Sequence, residues 1–262
     1  MDDSVQVLGN YPSGGYKWHG GLLAPQTGVI YAFPAHSNEV LCVDTNLRDN
    51  SQDESLRVTT IPINRHANDT DSHSLQYKWL GGSYGADGCI YGMPSDATTI
   101  LRIDPFKNEA TTFGNVPVGQ NKFQGGVLSS VDNCVYAVPA DSDCVLRIDT
   151  DPNTPLSIDF VGKDFQEIDD KWQGAFIGTD NNIYAIPECI NEVMVITPSP
   201  RKNPCVEMLG RKANRGTTNK CSSVSKQTDS STALEYYDND FCYKGELTDY
   251  ATRLSSILFR LI

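Results

Sequence analysis

The chain has 262 residues, of which 39% are apolar and 21% charged, with a formal net charge of −12. That balance is ordinary for a globular protein and excludes wholesale disorder. An acidic body repels phosphate backbones, which excludes nucleic acid as an expected partner. The acid is unevenly spread: residues 211–262 hold 8 Lys/Arg against 6 Asp/Glu, which leaves a net −14 on residues 1–210.

The first ten residues, MDDSVQVLGN, lack a basic segment followed by an apolar core, and no stretch approaches ~18 consecutive apolar residues. The expectation is therefore a cytoplasmic protein with no transmembrane segment. Residues 5–9, VQVLG, read as a strand ending in glycine, with counterparts TTFG at 111–114, IDFVG at 158–162 and VEMLG at 206–210.

A repeat then begins. Lys17-Trp18, Lys78-Trp79, Lys122-Phe123 and Lys171-Trp172 each precede one more residue and a Gly-Gly or Gly-Ala pair. A tyrosine follows at Tyr31, Tyr91, Tyr136 and Tyr184, and a proline three residues later at Pro34, Pro94, Pro139 and Pro187. Strands ending at Asp44, Asp104 and Asp149 come next, with Thr197 in the fourth unit. The Tyr-to-Tyr spacings of 60, 45 and 48 residues are those of a solenoid or propeller.

Each unit reads as four strands: a from the glycines, as in Gly-Gly-Val-Leu-Ser-Ser, b around the tyrosine, c as the Val-Leu-Arg-Ile-Asp type, and d as the run ending in glycine. Gly28, Asp87-Gly88, Asp132-Asn133 and Asn181-Asn182 supply the positive φ that the tight a–b hairpins need. Four antiparallel strands in ~45 residues make one propeller blade. The expected fold is thus all-β, a β-propeller of four recognisable blades over residues 1–210, either incomplete or with a degenerate fifth.

The glycine pairs are predicted to let neighbouring inner strands approach closely, and the preceding aromatic to wedge between blades. The alternative is an aromatic rim around a central pocket. Residues 46–76 carry polar insertions around the first d strand; His66, Asp69, Asp71 and His73 there have no recognised ligand spacing, and no metal site is expected. The sequon Asn68-Asp69-Thr70 carries no information without a secretion signal. None of the eight cysteines forms a CxxC pair, so reduced, half-buried thiols are expected. After residue 210 the repeat stops: residues 211–262 are a polar linker and, from Leu247, an amphipathic helix with Thr248 as N-cap.

Segments such as DNNIYAIPECINEVMVITP and ADGCIYGMPSDATTILRIDPFKNEATTFG resemble the repeats of NHL-type, virginiamycin B lyase-like and gluconolactonase-like propellers, over roughly residues 5–210. They look closer still to uncharacterised KW-x-GG repeat proteins of microbial eukaryotes. Kelch phasing does not fit, because the aromatic here precedes the glycines, and the Trp-Asp ending of WD repeats is absent. The lyase-like relatives imply a His base with a divalent metal, and the lactonase-like ones a metal held by Glu, Asn and Asp. No motif here matches those residue for residue; of the histidines, only His19 lies beside a glycine pair.

The functional expectation is a non-catalytic scaffold without cofactor that binds a protein or small anionic ligand on the face of the d–a and b–c loops. Its candidate residues are Lys17, Trp18, Lys78, Trp79, Lys122, Phe123, Lys171 and Trp172, ringed by Glu39, Asp96, Asp141, Asp143, Glu188 and Glu192. The structural alternative has each lysine paired with a nearby carboxylate. The competing classes are a metal-dependent lyase or lactonase with an axial site, and a truncated repeat protein. An open arc would expose two blade edges, and self-association is then expected.

Overall fold

The four lysine-aromatic starts each open an inner strand that bulges at the first glycine. In the computed structural model, which describes residues 5, 7–46, 57–65, 76–162, 165, 168–200 and 204–209, the first blade is β1 (Trp18–Ala24), β2 (Val29–Pro34), β3 (Glu39–Asp44) and β4 (Val58–Asn64). The second is β5 (Trp79–Tyr84), β6 (Ile90–Pro94), β7 (Ile100–Asp104) and β8 (Glu109–Phe113). The third is β9 (Phe123–Ser129), β10 (Cys134–Pro139), β11 (Val145–Asp149) and β12 (Ser157–Val161), and the fourth β13 (Trp172–Ile177), β14 (Ile183–Pro187), β15 (Val193–Thr197) and β16 (Cys205–Leu209). Each blade is an antiparallel meander in chain order. The described residues contain no helix, and therefore none long and apolar enough to cross a membrane.

Register shows what the glycines do. Trp18 faces Pro34 but Gly21 faces Ala32, so two residues of β1 oppose one of β2, and the same step recurs in the other three blades. The first glycine of each pair takes the left-handed conformation, with φ of 72°, 68°, 73° and 69° at Gly20, Gly81, Gly125 and Gly174. A bulge with glycine in that conformation sharpens the local twist of the strand. Predicted hairpin positions behave as expected: φ is positive at Gly28, Gly88, Asn133 and Asn181.

The cores lie between blades. One joins Tyr31, Phe33, Val40 and Ile61 of the first blade to Trp79, Ile90, Leu101 and Ile103 of the second. The next joins Tyr91, Met93 and Ile100 to Phe123, Val135, Leu146 and Ile148, and the third Tyr136, Val138 and Val145 to Trp172, Ile183, Met194 and Ile196. Strand alternation is visible in β11, where Leu146 and Ile148 belong to one core and Val145 to the other. Trp79, Phe123 and Trp172 are fully buried wedges. Trp18 is only half-buried, edge-on to Tyr11 at 5.0 Å.

Three features differ from expectation, and a fourth set of expected elements lies outside the described residues. Residues 5 and 7–9 are not in a strand, and Val5 and Val7 are exposed, because no strand among the described residues pairs with them. The outer strands β4 and β8 pair in parallel through Ile63–Ala110 and Asn64–Thr111, which fuses the first two blades into one eight-stranded sheet. Cys42, Cys89, Cys134 and Cys144 remain thiols, the first three buried as small apolar groups, whereas Cys205 is disulfide-bonded. The insertions at 47–56 and 66–75 and the helix expected at 247–262 lie outside the described residues; the chain divides into the units Met1–Gly216 and Thr217–Ile262, and every described residue belongs to the first.

Candidate functional site

At the d–a and b–c loop face, one backbone pattern recurs at every junction. The lysine carbonyl of a blade accepts N–H bonds from its own b–c loop: Lys17 from Ala35 and Ser37, Lys78 from Ser95 and Ala97, Lys122 from Ala140 and Ser142. The lysine N–H crosses to the preceding blade, Lys78 to Ala35 O at 3.1 Å, Lys122 to Ser95 O at 3.2 Å and Lys171 to Ala140 O at 3.1 Å. The residue before the lysine has positive φ at Tyr77, Asn121 and Asp170. Its N–H is capped by a carboxylate of the previous blade: Asp96 takes Asn121 N–H at 2.9 Å and Asp141 takes Asp170 N–H at 2.7 Å.

This pattern draws the lysines inward. Lys78, Lys122 and Lys171 are buried, and only Lys17 is partly accessible. Lys122 Nζ donates to Ser95 O at 2.6 Å and Gly119 O at 2.8 Å, and Lys171 Nζ to Ile168 O at 3.0 Å. The candidate lysines are thus brought together as a series of junction pins, and three of the four do not face solvent as a cationic ring. A buried ammonium needs such acceptors to offset its lost hydration. Burial pushes the Lys171 ammonium downward, partly opposed by Asp141, Asp169, Asp143 and Asp170.

The aromatic candidates also anchor loops. The indole N–H groups of Trp18, Trp79 and Trp172 donate to the carbonyls of Glu39, Thr99 and Glu192 at 2.8, 2.8 and 2.7 Å. Phe123 lacks that donor and serves as a wedge alone. The residues between aromatic and glycine are His19, Leu80, Gln124 and Gln173; Gln173 Nε2 donates to Gln124 Oε1 at 2.9 Å, while buried His19 Nδ1 has no hydrogen-bond partner. Burial lowers the His19 pKa.

Two arrangements were not anticipated. The first lies on the loop face where blades one and two meet: Tyr16, His36 and Tyr77 form a ring cluster with centroids 5.6, 4.6 and 5.8 Å apart. His36 occupies the place that Asp96 and Asp141 hold in later blades, and it takes Tyr16 N–H on Nδ1. Acids surround the rest of this face. Asp141 is pushed up to about 6 by burial, and Glu188 up to about 7 by desolvation beside Asp170 and Asp141, although its side chain still reaches solvent.

The second is at the opposite end, where the repeat tyrosine finds its partner. Tyr91 O–H donates to Asp87 at 2.8 Å and Arg102 bonds both; Tyr136 O–H donates to Asp132 at 2.6 Å, and Arg147 reaches Asp132 and Asp159. Tyr184 pairs with Asp180 at 2.7 Å without an arginine, because Val195 stands there. Tyr31, facing Cys42, instead reaches Asn108 of the second blade at 3.0 Å. The spacing was readable, with Asp four residues before Tyr and Arg eleven after it.

No family model matches the sequence, and no curated protein matches it. Among solved structures the fold is similar to a virginiamycin B lyase from Staphylococcus aureus, with TM-score 0.54, 13% identity and coverage of 76% of this chain and 57% of that one. It is also similar to a periplasmic gluconolactonase from Pseudomonas aeruginosa, with TM-score 0.52, 12% identity and coverage of 73% and 53%, and to a streptogramin B lyase, with TM-score 0.51, 11% identity and coverage of 73% and 54%. The chain spans little more than half the length of each. These likenesses define the class as an all-β fold of the propeller type and, at such identities, carry the fold alone.

Proposed function

We propose that the protein is a non-catalytic scaffold that captures a protein or peptide partner on its d–a and b–c loop face. The observation that supports this reading is the Tyr16–His36–Tyr77 cluster, with Tyr16 44% exposed. Accessible aromatic groups that combine an apolar body with a polar tip are favoured anchors in protein interfaces. Asp96, Asp141 and Glu188 belong to the same loops, and residues 1–210 carry a net −14, so the favoured partner is a basic segment rather than an anion. An anionic ligand would have to use Lys17 and Trp18, the partly accessible members of the predicted set.

Selection from a displayed peptide library tests this. Peptides rich in Lys and Arg should be enriched, and the double variant Tyr16→Ala/Tyr77→Ala should lose them about tenfold or more, as expected for interface anchors. Equal enrichment on both proteins would overturn the proposal.

A lyase- or lactonase-like reading rests on His19, whose Nδ1 is buried and unpaired on an inner strand. Turnover of gluconolactone or of a streptogramin B that disappears in His19→Ala would replace the scaffold reading. Under the scaffold reading neither is turned over.

A further inference from the structure

Each internal junction is built from the same knob and hole. The knob is the residue two beyond the repeat tyrosine: Phe33, Met93 and Val138. The hole is the second glycine position of the next blade. A Cβ on Gly82 would run into Phe33 Cζ as well as Tyr91 O of its own blade, and one on Gly126 would lie 3.0 Å from Met93 Sδ. Val138 is smaller, and its hole is Ala175 in the same core. Alongside, the first glycines meet backbone to backbone. A Cβ on Gly20 would be 3.6 Å from Gly81 Cα, one on Gly81 3.1 Å from Gly125 Cα, and one on Gly125 3.6 Å from Gly174 Cα.

The two ends of this series each keep one half of the junction. On blade four the knob is Ile186, 44% exposed, beside Phe176, 62% exposed, and a Cβ on Gly174 would meet nothing within 4 Å. On blade one the hole is Gly21, where the three atoms nearest to a Cβ all belong to Tyr31 and Ala32 of its own blade. Ile30, Leu41 and Val43 are only half-buried there, whereas their counterparts Ile90, Leu101 and Ile103 are fully buried against the preceding blade. Leu23 on the same face is 47% exposed.

Charge follows the same logic. Lys122 reaches across its junction to Ser95; the corresponding residues of the unmatched halves are Lys17 on blade one and Glu188 on blade four, opposite in sign. Neither has an ion-pair partner among the described residues. Knob and hole lie on different surfaces, so one copy cannot satisfy itself through a two-fold contact, whereas a head-to-tail contact satisfies both.

From the unmatched knob Ile186 and hole Gly21, we propose that the blade-four face of one copy receives the blade-one face of a second copy, repeating the internal junction between molecules. The contact is heterologous, so it either closes into a ring or extends along a series of copies.

The test is sedimentation of the 262-residue chain and of two surface variants, Ile186→Lys and Leu23→Lys, over a wide concentration range. Wild type should rise with concentration to at least twice the monomer mass. Each variant should weaken association about tenfold or more, since a lysine is buried unpaired at the contact, and should keep the wild-type unfolding midpoint at dilutions where wild type is monomeric. Mixing the two variants should then restore a dimer and nothing larger, because each retains one intact face. A wild type that stays monomeric would show the faces covered otherwise, by residues 210–262 or by another protein, and overturns the proposal. So does either variant assembling like wild type, or a mixture that remains monomeric.

Discussion

Among the described residues, blades two and three have a neighbour on both sides, while blades one and four have one each, and the same sequence signature behaves differently in the two settings. Trp79 and Phe123 are buried wedges, but Trp18 at the blade-one end is half-buried and leans on Tyr11. Met93 and Val138 fill the next blade, but Ile186 stands partly in solvent. A motif shared by four blades therefore specifies a junction rather than a blade. Its energetic worth is realised only where a second surface removes it from water.

The sharpest way to break this comparison is to place the same substitution at equivalent glycines. Gly81→Ala combines a φ of +68° with a Cβ 3.1 Å from Gly125 Cα, so backbone must move against backbone. Its expected cost is about 3–5 kcal/mol, the sum of conformational strain and overpacking. Gly174→Ala has the same φ but open space, and should cost about 1–2 kcal/mol. Urea midpoints at constant m-value would show the difference; equal costs would mean that blade contact is not what constrains Gly81.

The buried ion network comes next. Asp132→Ala removes the acceptor of Tyr136 and one carboxylate of Arg147, whose side chain is 4% exposed. Breaking a buried pair leaves an uncompensated charge, and about 3 kcal/mol is expected, moderated because Asp159 still holds Arg147. Asp180→Ala in blade four, where no arginine joins Tyr184, should shift the midpoint far less. Parity between the two would refute a special role for Arg147.

Knob and hole can be traded inside the molecule. Gly126→Ala pushes a Cβ toward the flexible Met93 and should cost about 1–2 kcal/mol, and adding Met93→Val recreates the Val138–Ala175 pairing. A favourable coupling of about 1 kcal/mol is expected in the double-mutant cycle, and simple additivity would show that the pairing is coincidental.

The smallest effect is a pH slope. The Asp141 carboxyl titrates near 6 in the folded chain, against about 3.9 when unfolded. The folded state therefore holds the proton more tightly, and this group's contribution to stability falls as pH rises from about 4 to about 6. Asp141→Asn keeps an oxygen to accept the Asp170 N–H and should flatten that slope. Glu188, raised to about 7, acts with the same sign over a window reaching higher pH. Midpoints measured in steps across this range would reveal a slope unchanged by Asp141→Asn if the assignment were wrong.

The sequence by itself determined the strand order within each unit, the hairpin residues with positive φ and the glycine pairs at which inner strands approach. All of these are local: backbone sterics and a two-residue alternation are written into consecutive residues. It also carried, unread, the Asp–Tyr–Arg spacing. Tertiary structure alone decided that Lys78, Lys122 and Lys171 are buried; Lys122 and Lys171 turn inward to carbonyls in neighbouring loops that no periodicity announces. It likewise decided why Ala175 is tolerated, since the size of that hole is set by Val138, on the preceding blade. And it separated Trp18 from its three counterparts, for burial is a property of what stands opposite, which a residue's own sequence neighbourhood does not encode.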